Sequence, residues 1–361
     1  MISISGKKAE NIFLSALLCY HFLFAFFAFE YFKKNGGDAS FYWFSSEASK
    51  NTVFSELQFY GSDFVLRVNF FFAKLLHLGI EWGFVIYSFI GFLGIWQYYR
   101  LGKLLGFCES TFLKKALFYL MLLLPNLHFW TAGLGKESLC FLCLATFFYE
   151  LAHERYRLMM LLSFVVLACI RPHVAIFLIS AIFLVLFFKK TIPVKYKLGL
   201  TFLFIVVFVV FFYMVLQLSE INYFDWKRIQ RYNEYSLLSF QHSNTYVPMV
   251  EYSYPFRLFT FWFRPFPGEV NTLYGWVLGM ENLIWLLLHS VAVYLLLKNY
   301  KKLHFPAVFK VILIFALIST LIIVERYSGF GIFARTKIMM QPFVGVVLLW
   351  IFVESSSRKT I

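Results

Sequence analysis

The residues that could do chemistry in this chain stand at the ends of long apolar runs. Asp38 follows two glycines in KNGGDASFYWF and precedes a run of aromatics. A carboxylate there can close a solvated turn, or it can act as a general base on an acceptor hydroxyl. Arg171, in CIRPHVA, sits between two apolar blocks, and Pro172 interrupts the backbone ladder behind it. Such a guanidinium either snorkels to the interface or pairs with two phosphate oxygens. His173 beside it suits a cap or an interfacial position better than a base. RPFPGE places Arg264 and Glu269 at the two ends of a proline-stiffened turn. That turn is either a rigid connector or the wall of a cavity. ERYSGFGIFARTK gathers Glu325, Arg326, Arg335 and Lys337 around two glycines. Its cations could neutralise a departing pyrophosphate electrostatically, or they could anchor the chain at an interface. Finally, LPNLHFWTAGLGKESLCF sets Lys136 and Glu137 among apolar residues. Lys136 reads as a phosphate contact with Glu137 as its partner or as a helix N-terminal acid; an ordinary turn explains the pair equally well.

Other motifs fall away. AGLGKES is not a nucleotide loop, because Glu137 follows the lysine where a Ser or Thr is required. No GxSxG, HExxH or dinucleotide fingerprint is present. Cys140 and Cys143 share one helix face with no second ligand pair nearby, which reads as packing. No metal site and no other cofactor is indicated, although a divalent ion is compatible with the chemistry. His21 and His289 lie inside apolar spans and are expected to be core histidines with local partners.

The elements that position these residues follow from composition. Of 361 residues, 61% are hydrophobic and only 14% are charged, against about a quarter in a soluble domain. That apolar surface must face lipid, so an all-α polytopic membrane protein is expected, folded as a single transmembrane domain over residues 1–361. Apolar stretches of near-spanning length suggest about ten helices, near 11–29, 82–99, 116–130, 138–152, 158–170, 174–188, 198–216, 282–297, 307–324 and 338–353. The N-terminal MISISGKK and the run after it read as an uncleaved first helix. The net charge of +14 does not indicate nucleic acid. Its lysines and arginines fall in short runs between apolar spans, at Lys7–Lys8, Lys114–Lys115, Arg155 and Arg157, Lys189–Lys190, Lys301–Lys302 and Arg358–Lys359. This pattern predicts N-in, C-in topology. Two long loops, roughly 30–81 and 217–281, then face outward. The first contains an amphipathic stretch, Ser62 to Ile80, suited to an interfacial helix. The second carries Tyr223, Trp226, Tyr232, Tyr235, Tyr246, Tyr252 and Tyr254, which could stack on sugar rings or form an aromatic belt.

With Asp38, LPNLHFWTAGLGKESL, RPHV, FRPFPGE and GFGIFARTKIMMQPF in view, the chain resembles bacterial polytopic enzymes of envelope-polysaccharide synthesis. The similar groups are the GT-C membrane glycosyltransferases and the O-antigen polymerase-like proteins. The resemblance implies a cytoplasmic-membrane enzyme working at the outer face on a saccharide linked to undecaprenyl phosphate or pyrophosphate, alongside other polysaccharide-assembly proteins. In that scheme Asp38 is the catalytic base. Lys136, Arg171, Arg264, Arg326 and Arg335 hold the lipid phosphates, supported by Glu137, His173, Glu269, Glu325 and Lys337. Two departures stand out. Many GT-C enzymes carry a paired acidic motif, whereas Asp38 is single, with Asp63 and Glu47 the nearest outer candidates, and no soluble outer domain is visible. A transporter or flippase for a lipid-linked or anionic precursor is the alternative, and a scaffold subunit is the third reading.

Overall fold

The computed structural model describes residues 4–48, 57–154, 158–219, 225–301 and 303–357. Arg155, Arg157, Tyr223, Lys302, Arg358 and Lys359, and the side chains of Lys7 and Glu47, lie outside the described part. Within it the chain is helical, with no strand and one isolated bridge between Tyr246 and Gly329. In chain order the helices are α1 (Ile4–Asn35), α2 (Asp38–Ala48), α3 (Ser62–Phe70), α4 (Ile80–Leu104), α5 (Phe112–Leu122), α6 (Pro125–Ala132), α7 (Lys136–Ala152) and α8 (Leu158–Ile170). They continue as α9 (Pro172–Phe187), α10 (Val194–Leu218), α11 (Trp226–Leu238), α12 (Tyr254–Phe263), α13 (Leu273–Asn299), α14 (Ala307–Ile323), α15 (Phe330–Lys337) and α16 (Gln341–Ser357). The chain divides into two compact units, one of residues 1–104 and 122–171, the other of 105–121 and 172–361.

Among the described residues, four helices are long and apolar enough to cross a membrane: Lys8–Asn35, Ile80–Leu104, Val194–Leu218 and Leu273–Asn299. Counting the bent pair Phe330–Lys337 and Gln341–Ser355 as one span brings the number to five. The structure therefore carries the all-helical reading but does not by itself carry ten crossings. The expected span at 116–130 breaks between Leu122 and Pro125, which opens α6 because proline suits the first helical turn. The stretches at 138–152, 158–170, 174–188 and 307–324 correspond to helices of 17, 13, 16 and 17 residues, short of the ~20 that a straight crossing needs. The two long segments expected as outer loops are themselves largely helical, holding α2 and α3 in the first and α11 and α12 in the second. The stretch beginning at Ser62 is helical as expected to Phe70 and continues as a π-helical turn, Phe71–Leu75.

In the first unit, α4 is the central post and packs against α1, α6 and α7, while α7 also packs on α8. Close approach depends on glycine: a Cβ on Gly91 of α4 would lie 1.9 Å from the Thr131 carbonyl of α6. α1 and α2 are joined by Gly36 and Gly37, both at positive φ, 68° and 128°, a conformation in which a Cβ is strained. In the second unit, α9 packs against α10 and α14, and α13 and α14 pack on α16.

Candidate functional site

In the first unit the chemistry gathers where α7 begins. Lys136 and Glu137 occupy the first turn of α7, directly after the break Gly133–Gly135. Glu137 is buried, and its carboxylate accepts a hydrogen bond from the buried Arg171 guanidinium at the end of α8. Glu137 thus lies at a helix N-terminus, one of the two roles expected for it, and its carboxylate pairs with Arg171. The half-buried Lys136 donates to Ser62 Oγ at 3.0 Å and lies 5.9 Å from the centre of the Tyr42 ring. Beneath it, the fully buried Asn69 donates to the Tyr42 carbonyl at 3.0 Å and accepts from the Tyr87 hydroxyl at 2.8 Å. These bonds fix α2, α3 and α4 around the lysine. Asp38 is exposed at the first residue of α2, where a carboxylate also meets the positive end of the helix dipole. Asp63 accepts from the Gln58 amide at 3.0 Å and so closes a turn. His173 belongs to the second unit, in the first turn of α9, half-buried, with its ring edge-on to Phe177.

In the second unit the cations divide into two kinds. The first kind faces a carboxylate. Arg264, at the end of α12, donates to Glu269 at 2.9 and 2.5 Å and to the Tyr252 hydroxyl at 3.3 Å. Glu269 also accepts from the Phe266 amide at 2.5 Å, so RPFPGE is a closed, self-satisfied turn. Burial works against the Arg264 charge, but the bonds to Glu269 and Tyr252 outweigh it and raise the guanidinium above its usual value. Arg257 donates to Glu325 at 3.0 Å. Lys337 is fully buried and donates to Asn282 Oδ1 at 2.7 Å, while Asn282 donates to the Pro265 carbonyl at 2.9 Å. The buried Glu281 contributes a favourable charge to that lysine. Arg335 is half-buried on α15.

The second kind surrounds a groove of about 450 Å³ on α11, lined by Asp225, Arg228, Arg231, Tyr232 and Tyr235. Asp225 caps α11 by accepting from the Lys227 amide at 3.0 Å. The Arg326 guanidinium lies 4.2 Å from the centre of the Tyr232 ring. Its Nε is buried without a hydrogen-bond partner. The segment that carries Arg326 is fixed by a bond from Ser236 Oγ to the Arg326 carbonyl at 2.8 Å. Pairing of Val247 with Ser328 and of Phe330 with Thr245 holds it further.

Of the cations expected to hold phosphate, Arg171 and Arg264 therefore already face carboxylates of their own chain, while Arg326 lies beside an open basic and aromatic groove. Arg228 and Arg231 were not singled out from the sequence. Their signal was present: Arg228, Arg231, Tyr232 and Tyr235 recur at i, i+3, i+4 and i+7 and so share one helix face. Among the described residues no group of three or more His, Cys, Asp or Glu is placed to hold a metal ion. Compared with protein-family models, with curated proteins and with solved structures, the chain finds no match, so any family likeness rests on its residues alone.

Proposed function

We propose that the chain is a membrane glycosyltransferase or repeat-unit polymerase using saccharides linked to polyprenyl phosphate or pyrophosphate at the outer face of a bacterial cytoplasmic membrane, with about ten spans and both termini inside. The observation that supports it is the α11 groove. Two arginines and two tyrosines share one face there, and Arg326, whose buried Nε has no hydrogen-bond partner, lies against Tyr232 of that face. Guanidinium groups match phosphate oxygens in geometry and charge, and tyrosine faces stack on sugar rings. In the reaction, an acceptor hydroxyl oxygen bonds to the anomeric carbon as the bond from that carbon to the phosphate oxygen breaks. The electron pair leaves with the phosphate, where arginines offset the charge, and the hydroxyl proton passes to a base. Asp38 is the candidate for that base.

The test uses the full chain in lipid nanodiscs with a synthetic polyprenyl-pyrophosphate oligosaccharide. Transfer should yield a longer lipid-linked product by mass spectrometry. R326A should raise KM on the order of tenfold or more, as loss of one charged hydrogen bond predicts, and D38N should lower kcat. Absence of product from the active-folded wild type, on donors of several sugar compositions, rejects the enzyme reading. The second reading, a transporter, is favoured by one observation: ionisable side chains buried deep in the fold, Lys337 and the His21–His128 pair, which are typical of ion pathways in transporters. Movement of the lipid-linked saccharide across proteoliposomes without any change in its mass supports that reading instead.

A further inference from the structure

His21 lies near the midpoint of α1, and His128 lies on α6; both are fully buried. Their Nδ1 atoms are 3.0 Å apart. On its far side, each ring meets a backbone carbonyl: His21 Nε2 is 3.0 Å from the Ser88 oxygen on α4, and His128 Nε2 is 2.7 Å from the Leu122 oxygen. A carbonyl only accepts, so both Nε2 atoms must carry hydrogen. A neutral imidazole has one N–H. Two neutral rings so arranged would turn two bare lone pairs on each other across 3.0 Å. Four nitrogens in three contacts need three protons, and two neutral rings bring two. We propose that His21 and His128 form a buried proton-binding site, holding one proton between their Nδ1 atoms so that the pair carries a single positive charge.

The surroundings fit a cation with no carboxylate beside it. The Tyr20 and Phe24 rings stand 4.7 and 5.6 Å from the His128 ring centre, and Phe92 stands 6.2 Å from that of His21, so aromatic rings border the pair. The Tyr20 hydroxyl is committed to the Leu123 carbonyl at 2.9 Å, and the buried Ser88 Oγ has no hydrogen-bond partner. The charged groups of the neighbouring helices are bound elsewhere or distant. On α1, Glu10 pairs with Lys103 at 2.6 Å and Glu30 with Lys33; they lie about 16 and about 14 Å along the helix from His21 at 1.5 Å per residue. On α4, Glu81 lies about 10 Å along the axis from Ser88, and Arg100 donates to Gln97 and Tyr149. α6 carries only His128. On α7, which packs on both α4 and α6, Glu137 pairs with Arg171, Lys136 bonds Ser62, and Glu150 lies near the opposite end of the helix. The third proton comes from hydronium in the solvent: its O–H bond breaks as the Nδ1–H bond forms, and water is left behind. The two rings then exchange protons with solvent as one unit.

The site is independent of whether the chain transfers or transports saccharide, and so is its test. The full chain, with 15N-labelled histidine, is placed in nanodiscs and its imidazole nitrogens are followed by NMR between pH 5 and 8. The expected result is one pair of rings with both Nε2 atoms protonated and a hydrogen-bond coupling between the two Nδ1 atoms, both signals vanishing in H21Q and in H128Q. Either variant suffices for assignment, since loss of one ring removes the coupling, so failure of one to fold leaves the test intact. A bare Nε2 in this pair at every pH in that range, or no coupling between the Nδ1 atoms, overturns the proposal.

Discussion

Replacing Glu137 by Gln isolates the energetics of the cluster at the start of α7. The substitution keeps the shape of the side chain and removes the charge facing Arg171. The two side chains are only 4% and 10% exposed, so the discount for solvent screening that reduces a surface pair to about 0–1 kcal/mol does not apply. An unanswered buried charge costs about 3–5 kcal/mol, and that is the destabilisation expected for E137Q. The double variant E137L/R171M removes both charges and fills similar volume. By the same principle it should lie within about 1 kcal/mol of the wild type, far from the sum of the two single substitutions. The assay is reversible unfolding of the purified protein in mixed micelles, followed by loss of helical signal. A cost for E137Q below about 0.5 kcal/mol, the scale of an ordinary surface change, together with additive single substitutions, would refute the reasoning that this pair is desolvated and mutually dependent.

Three further outcomes are expected in the same assay. N69A should cost about 1–3 kcal/mol, because it removes the bond to the Tyr42 carbonyl and strands the Tyr87 hydroxyl; Y87F, which removes only the bond to Asn69 Oδ1, should cost less, and the reverse order would discount the network. G91A should destabilise by about 1–3 kcal/mol or more through overpacking, since its methyl would meet the Thr131 carbonyl, and it should also weaken the His21–His128 coupling; an unchanged midpoint would refute the close approach. E269Q should cost less than E137Q, on the order of 1 kcal/mol, because the Arg264 and Glu269 side chains are 17% and 27% exposed; equal costs in the two variants would show that burial is not what separates the pairs.

The features legible in the sequence were those set by composition and by proline. The all-helical content of the described residues followed from apolar runs of near-spanning length, and Pro172 marked the break between α8 and α9. A first-turn helical acid was one of the readings open for Glu137. Its pairing with Arg171 was not legible, because Arg171 is 34 positions away and only tertiary packing brings the two together. The same holds for His21 and His128, separated by 107 positions: each is unremarkable inside its own apolar stretch, and the number of protons they need emerges only when both rings and both carbonyls are placed. The count of crossings is harder to read for a different reason. Hydropathy registers an apolar run whether it is one straight helix or, as at residues 112–132, two short helices broken at a proline. The α11 face was readable from spacing alone and was obscured by treating its tyrosines as an interfacial belt apart from their arginines.

α10 has a consequence of its own. None of its 25 residues is buried, and its contact with the rest of its unit is along α9, where Phe183 and Phe204 stack at 4.2 Å. Side-chain packing therefore sets its tilt weakly. In a bilayer the tilt is set by membrane thickness, since an apolar run adjusts its angle to match the hydrocarbon depth. Counted from Leu198 to Leu218, beyond Lys195 and Lys197, that run is roughly 31 Å long at 1.5 Å per residue, close to a typical core of ~30 Å. Lipid acyl-chain length is thus a mechanical input to α10: it sets the angle at which a helix so lightly packed would cross.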